Sequence, residues 1–309
     1  VSKHEPKPSI QRDMAATTTA IHPPKTWTWR GFKTCYQQQG TEGAAVVFVH
    51  GFGASWGHWR KNLPVLGESY RCYAIDLIGF GDSAKPTPGT EIEYTFETWG
   101  QQIADFCREV VGSPVFLVGN SIGCIAVMQA AVDCPEIALG VCLINCSLRL
   151  LHERKQADIP AYRRLGASTL QRLLKIKPVG SFFFKQLAKP KVVRNILLQA
   201  YARSEAVNDE LIDILMKPAA DKGAADVFIA FTGYSQGPLA EDLLPILPCP
   251  ALILWGTEDP WEFVEKGREF AKYPKVERFI ELEGLGHCPQ DEAPEVVNPI
   301  LQEWIASYV

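Results

Sequence analysis

The chain has no apolar run approaching the ~18 residues of a membrane-spanning helix. The longest runs, such as Ala44–Val49 and Ala251–Trp255, have the length of strands. There is no CxxC pair, and nine cysteines are an odd number that cannot all pair internally. Cys107, Cys124, Cys142 and Cys146 lie inside apolar stretches, where cysteine acts as a small buried hydrophobe. This usage reads as a reduced, intracellular or organellar protein with neither a metal cluster nor a cofactor. A surplus of basic charge is also missing. With 31 Lys and Arg against 35 Asp and Glu the formal net charge is −4, which excludes a globally basic nucleic-acid binder. No internal repeat is visible.

Residues 1–25 lack apolar periodicity and a hydrophobic core of the secretory-signal kind. Their mixture of Pro, Ser, Thr, Lys and Ala reads as a disordered tail. Thr/Ala content with few acids fits the remnant of an organellar transit peptide, and equally a plain unstructured tail.

What is present is ordinary globular composition, 47% apolar and 21% charged over 309 residues. That length suits one α/β domain carrying an insertion, or two modest domains. Strand patterns fall near Trp27–Arg30, Lys33–Gln38, Ala45–His50, Tyr70–Asp76, Pro114–Val118, Gly140–Asn145, Ala251–Trp255 and Val276–Leu282. Helical patterns fall near Thr95–Val111, Ile122–Asp133, Pro260–Lys272 and Pro294–Ser307. Such alternation predicts a mostly parallel eight-stranded sheet with helices on both faces. Between Ser147 and about Pro245 it breaks, leaving helical segments such as Ala161–Ile176, Lys191–Ala202 and Glu210–Lys217. The division expected is a tail (1–25), a core in two parts (26–146 and 246–309) and a helical lid inserted between them (147–245).

That insertion is electrostatically unlike the rest. From Ser147 to Ala200, twelve Lys and Arg stand against Glu153 and Asp158, a net charge of +10 that leaves −14 on the remainder. Such asymmetry suggests an anionic partner or surface. Phe182, Phe183, Phe184 and many leucines interleave with the bases, a pattern that fits peripheral contact with a membrane surface. A solvated basic face over an ordinary helical core fits it too.

The chemistry is concentrated in three loops. Gly119-Asn120-Ser121-Ile122-Gly123 follows an apolar strand pattern and opens a helix. A G-x-S-x-G turn in this setting holds the serine hydroxyl out from the sheet's carboxyl edge, where the N–H of the next residue meets it. His50-Gly51-Phe52-Gly53 follows another strand, so the Phe52 and Ile122 N–H groups form a candidate oxyanion hole. Gly51, Trp56 and Trp59 are candidate substrate contacts beside it. Of six histidines, His287 follows the last strand and is the candidate base, while His50 reads as structural. Asp259, in Gly256-Thr257-Glu258-Asp259-Pro260, is the candidate acid, with Glu258 one residue of loop register away. Asn145, after the preceding strand, cannot supply a carboxylate.

The order Ser121…Asp259…His287, with the Leu77–Pro86 turn after Asp76, resembles the α/β-hydrolase family over residues 27–309. Within it, His50–Arg60, Thr95–Gly100, Gly119–Gly123 and Gly286–Glu292 resemble the plant and algal plastid group of pheophytinase and chlorophyll dephytylase. The chain departs from pheophytinase-like proteins at Cys124, where they tend to carry a second glycine. The resemblance implies a serine hydrolase that cleaves a hydrophobic ester, a phytyl ester of a chlorophyll derivative, in the chloroplast. A sister group acting on another ester fits equally. Ser121 speaks against the aspartate-nucleophile dehalogenases and epoxide hydrolases of this fold. Carbon–carbon bond hydrolases of ring-fission products share the Gly119-Asn120-Ser121 elbow, and a ligand receptor that keeps the triad is a third reading. Oligomeric state leaves no trace in the sequence.

Overall fold

A computed structural model describes residues 23–158 and 176–309. Eight strands form one sheet: β1 Lys25–Trp29, β2 Phe32–Gln39, β3 Ala45–Val49, β4 Arg71–Ile75, β5 Val115–Asn120, β6 Ala138–Ile144, β7 Ala251–Gly256 and β8 Val276–Leu282. Their order is β1-β2-β4-β3-β5-β6-β7-β8. The β1–β2 and β2–β4 pairs are antiparallel, and every pair from β4 to β8 is parallel. β1 starts at Lys25 because Lys25–Trp29 pairs with Tyr36–Phe32, so the core takes in a residue that the sequence pattern had left to the tail.

The central strands read as continuous apolar runs because both faces of a parallel sheet are covered. In β3, Val46 and Phe48 face a core with Trp59, Leu63 and Trp304. Val47 and Val49 face another with Trp99, Ile103 and Ile125. Helix α1 (Phe96–Phe106) starts where the Thr95 side chain accepts the Thr98 N–H, and a wider turn carries it on to Val111. Helix α2 (Ile122–Asp133) packs beneath the sheet's carboxyl edge and is buried almost all round.

Between β6 and β7 the described residues hold helices and no strand. They include α3 (Lys177–Leu187), α4 (Pro190–Ala200), α5 (Asp209–Ala219) and α6 (Ala224–Thr232). The sequence pattern had singled out α4 and α5. The segment expected at Ala161–Ile176, apart from Ile176, lies outside the described residues, as does the tail to residue 22. After β7, the helix expected from Pro260 to Lys272 is regular only over Val264–Gly267, followed by a tighter turn to Lys272. One local reason is that the Trp255 indole holds the Glu262 carbonyl, which a regular helix would bond to its own backbone, even though Asp259 accepts the Trp261 and Glu262 N–H groups as a cap would. Helix α7 (Pro294–Ala306) closes the chain.

Candidate active site

Ser121 sits between β5 and α2 with φ 56° and ψ −121°, a conformation that L residues rarely adopt and that marks stored strain. Two glycines permit it. A Cβ on Gly119 would come within 2.6 Å of the Gly123 backbone, and one on Gly123 within 2.5 Å of the Val49 carbonyl oxygen. The serine is not a helix cap. Its side chain makes no capping bond, and among the described residues Ser121 Oγ has no hydrogen-bond partner.

His287 lies on the loop after β8. Its Nδ1 is 2.7 Å from Asp259 Oδ2, which leaves Nε2 without a protein partner among the described residues. Asp259 Oδ1 accepts the Trp261 and Glu262 N–H groups at 2.9 and 3.1 Å. Burial pulls the imidazole pKa down, but the hydrogen bond and charge of Asp259, with the charge of Glu262, outweigh it and hold His287 above its ordinary value. For Asp259 burial works upward. The His287 contact and the two N–H bonds prevail and keep the carboxyl below its usual range. Glu258 is exposed and makes no such contact with His287, whereas Asp259 does.

Ser121 and His287 line one cavity of about 620 Å³, within the usual range for small-molecule sites. Gly51, Phe52 and Ile122 line it as well. The Phe52 and Ile122 N–H groups have no protein acceptor among the described residues. Behind Phe52, His50 donates from Nδ1 to the Gly51 carbonyl at 2.7 Å and accepts the Leu77 N–H at Nε2. Burial lowers its pKa to about 4, so it is a neutral brace for the turn. The Phe52 ring packs on Phe228 and Phe231 of α6, tying that turn to the insertion.

Trp56 and Trp59 are not cavity residues. Trp59 is fully buried against Phe48 at 5.0 Å, Trp56 packs on the same core, and the Trp56 N–H donates to Asp76 at 2.7 Å. Of Trp56–Trp59, His58 is the residue that reaches the cavity. The tandem aromatics point away because the short helical turn there packs beneath the sheet.

Three supporting residues escaped the sequence reading. Asn145, at φ 46°, donates to Asp259 Oδ2 at 2.7 Å and accepts the Gly256 N–H at 3.1 Å. Trp261 stands edge-on to the His287 ring at 5.0 Å and lines the cavity. Glu262 accepts the Ser147 hydroxyl and the Leu148 N–H at 3.0 and 2.8 Å, and burial pushes its carboxyl up to about 7. A strand-end position followed by an acid-rich loop could have flagged Asn145, but its partners lie more than a hundred residues away.

Among the described residues a lysine and an arginine line the cavity, and both are engaged. Lys85 bonds Asp221 and the Gly81 and Ser83 carbonyls; Arg149 bonds the Pro238, Tyr234 and Gln236 carbonyls. Among the described residues no cluster of His, Cys, Asp and Glu is placed to hold a metal ion. All nine cysteines are buried free thiols.

The chain belongs to the alpha/beta hydrolase family, whose model matches residues 46–300. It is a hydrolase of that family. It is 26% identical to "Pheophytinase, chloroplastic" of Arabidopsis thaliana over 84% of this chain and 61% of that relative, so it spans about three fifths of the relative's length. It is also 26% identical to 2-hydroxy-6-oxo-6-(2'-aminophenyl)hexa-2,4-dienoic acid hydrolase of Metapseudomonas resinovorans, over 86% of this chain and 84% of that one. Among solved structures, a serine hydrolase involved in carbazole degradation superposes with a TM-score of 0.74 at 20% identity, covering 92% of this chain and 98% of the other. That likeness speaks for the fold.

Proposed function

We propose that the protein is a serine carboxylic-ester hydrolase. The observation that carries this reading is the hydroxyl of Ser121, strained and unbonded, in the same cavity as an imidazole held at 2.7 Å by Asp259. With Nδ1–H donated to Asp259, Nε2 takes the proton from Ser121 as its oxygen attacks the ester carbonyl. The Phe52 and Ile122 N–H groups stabilise the oxyanion, a term worth about 3 kcal/mol per donor. His287 returns the proton to the departing alcohol, and water then releases the acid from Ser121.

The substrate we propose is a hydrophobic ester, specifically the phytyl ester of a chlorophyll derivative, with the helical insertion as its lid. An apolar, aromatic wall and the resemblance to the chloroplast pheophytinase support it, and the chloroplast is the compartment we propose on the same ground. The dienoic acid hydrolase argues for a carbon–carbon bond hydrolase instead. Such an acid needs a cation to meet its carboxylate. Among the described residues the cations that line the cavity, Lys85 and Arg149, are already committed, which favours a neutral ester.

The test is labelling with a fluorophosphonate followed by turnover of pheophytin, chlorophyll and a graded series of acyl esters. Labelling at Ser121, lost in Ser121→Ala, with phytol released from pheophytin is the expected result. Turnover that survives Ser121→Ala overturns the nucleophile. Good turnover of short acyl esters without phytol release overturns the substrate. Ligand-dependent stabilisation with no turnover of any ester points to a receptor.

A further inference from the structure

We propose that the outer side of α3 and α4 docks on an anionic lipid surface and brings the cavity mouth against it. Ile176–Ala200 contains Lys177, Lys185, Lys189, Lys191 and Arg194 and not one Asp or Glu. The four lysines are exposed, and among the described residues none of them forms an ion pair, whereas Arg194 pairs with Asp209. The same 25 residues carry five of the thirteen large apolar side chains exposed among the described residues: Ile176, Val179, Phe182, Ile196 and Leu198. Elsewhere the exposed apolar residues stand singly or as the pairs Trp261/Phe263 and Tyr308/Val309; here they coincide with unpaired positive charge.

The spacing is orderly. Ile176, Val179 and Phe182 recur every three residues, Phe182 is 66% exposed, and the row runs on into Lys185. Opposite faces of the same helices turn inward, where Phe184, Leu187 and Leu197 line the cavity. Ile196 and Trp261 both line the cavity and reach the surface, 37% and 40% exposed, which marks an apolar mouth. An apolar strip flanked by lysines matches the chemistry of a bilayer interface: side chains enter the acyl boundary while ammonium groups meet anionic headgroups. A water-facing surface needs no exposed Phe182, and an acidic protein partner would not need the apolar row. No described helix is long and apolar enough to cross a membrane, so the contact is peripheral.

This inference stands apart from the chemistry at Ser121, and its test uses Ser121→Ala protein so that turnover plays no part. Flotation with phosphatidylcholine vesicles, with and without phosphatidylglycerol, measures binding at low and high salt. Expected is binding to the anionic vesicles alone, weakened by salt. The triple substitution Lys185→Glu, Lys189→Glu, Lys191→Glu lowers it on the order of 100-fold, and Phe182→Asp lowers it at low salt as well. Circular dichroism of each variant confirms the fold, and the salt dependence of the unsubstituted surface keeps the proposal testable should a variant misfold. No binding to anionic vesicles, or binding indifferent to salt and to both substitutions, overturns it. So does a dimer at low salt that Phe182→Asp dissociates.

Discussion

Glu292 Oε2 accepts the backbone N–H of Gly286 at 2.9 Å, one residue before His287. Its other oxygen accepts the Arg203 N–H at 2.7 Å, the His287 N–H donates to the Ala200 carbonyl at 2.8 Å, and the Tyr201 hydroxyl donates to Asp291 at 2.9 Å. The segment that leaves α4 is thus bonded directly to the loop that carries the imidazole. Replacing Glu292 with Ala strands one buried and one half-buried N–H group and should cost about 1–3 kcal/mol of folding stability. It should also lower kcat by up to about 100-fold through misplacement of His287. Glu292→Gln, which keeps an acceptor, should recover most of both. Denaturant melts and esterase kinetics on the two variants check this.

If His287 acts as the proposed base, activity should follow its ionisation, since only the neutral imidazole can accept the proton. kcat/KM should fall on the acid side through a pKa above the ordinary histidine value, because Asp259 and Glu262 together outweigh the burial that lowers it. Glu262→Gln removes one of the raising charges, so the acid limb of the pH–rate profile should move to lower pH. A limb that stays put would mean that Glu262 does not act on the imidazole.

Glu262 also leaves a signature in stability. Its folded pKa of about 7 lies above the unfolded value of ~4.3, so across that window the folded chain holds a proton that the unfolded chain releases. This group's contribution therefore declines as pH rises from about 4 to 7. Relative to the unsubstituted protein, Glu262→Gln should gain about 1–2 kcal/mol between pH 5 and pH 8, discounted for partial exposure. Urea melts at the two pH values measure it.

The elbow should tolerate no added carbon. Gly123→Ala brings a Cβ to 2.5 Å from the Val49 carbonyl and 2.7 Å from that of His50, both backbone atoms of the neighbouring strand and turn. Forcing β3 and α2 apart should cost about 1–3 kcal/mol or more and abolish fluorophosphonate labelling even in protein that still folds. Full labelling of a folded Gly123→Ala protein would contradict the close approach.

Most of the fold was legible because strands buried on both faces write themselves as apolar runs. β3, Ala45–Val49, is such a run and was expected at Ala45–His50; the ends of α2 and of the half-exposed β8, Val276–Leu282, were read to the residue. Ser121 was legible for a local reason as well, since strain, glycines and helix start all fall within five residues. Asn145 was not. It was set aside for lacking a carboxylate, yet it donates to the carboxylate that Asp259 supplies from 114 positions away. Trp56 and Trp59 misled because aromatics three residues apart beside a candidate oxyanion turn look alike in sequence whether they face a cavity or a core. Only the packing of Trp59 on Phe48 tells them apart. The helix expected from Pro260 is cut short where the Trp255 indole takes the Glu262 carbonyl, a group that a regular first turn would bond to its own backbone.

Gly286 has its Cβ position only 2.2 Å from the Ala200 carbonyl oxygen and 2.8 Å from the Ala202 nitrogen. The insertion therefore cannot be treated as a cassette. A chimaera that receives its helices from another hydrolase must import the backbone path at 200–203 together with the glycine and the acidic pair at 291–292. Otherwise the graft will collide with, or float free of, the loop on which the imidazole rides.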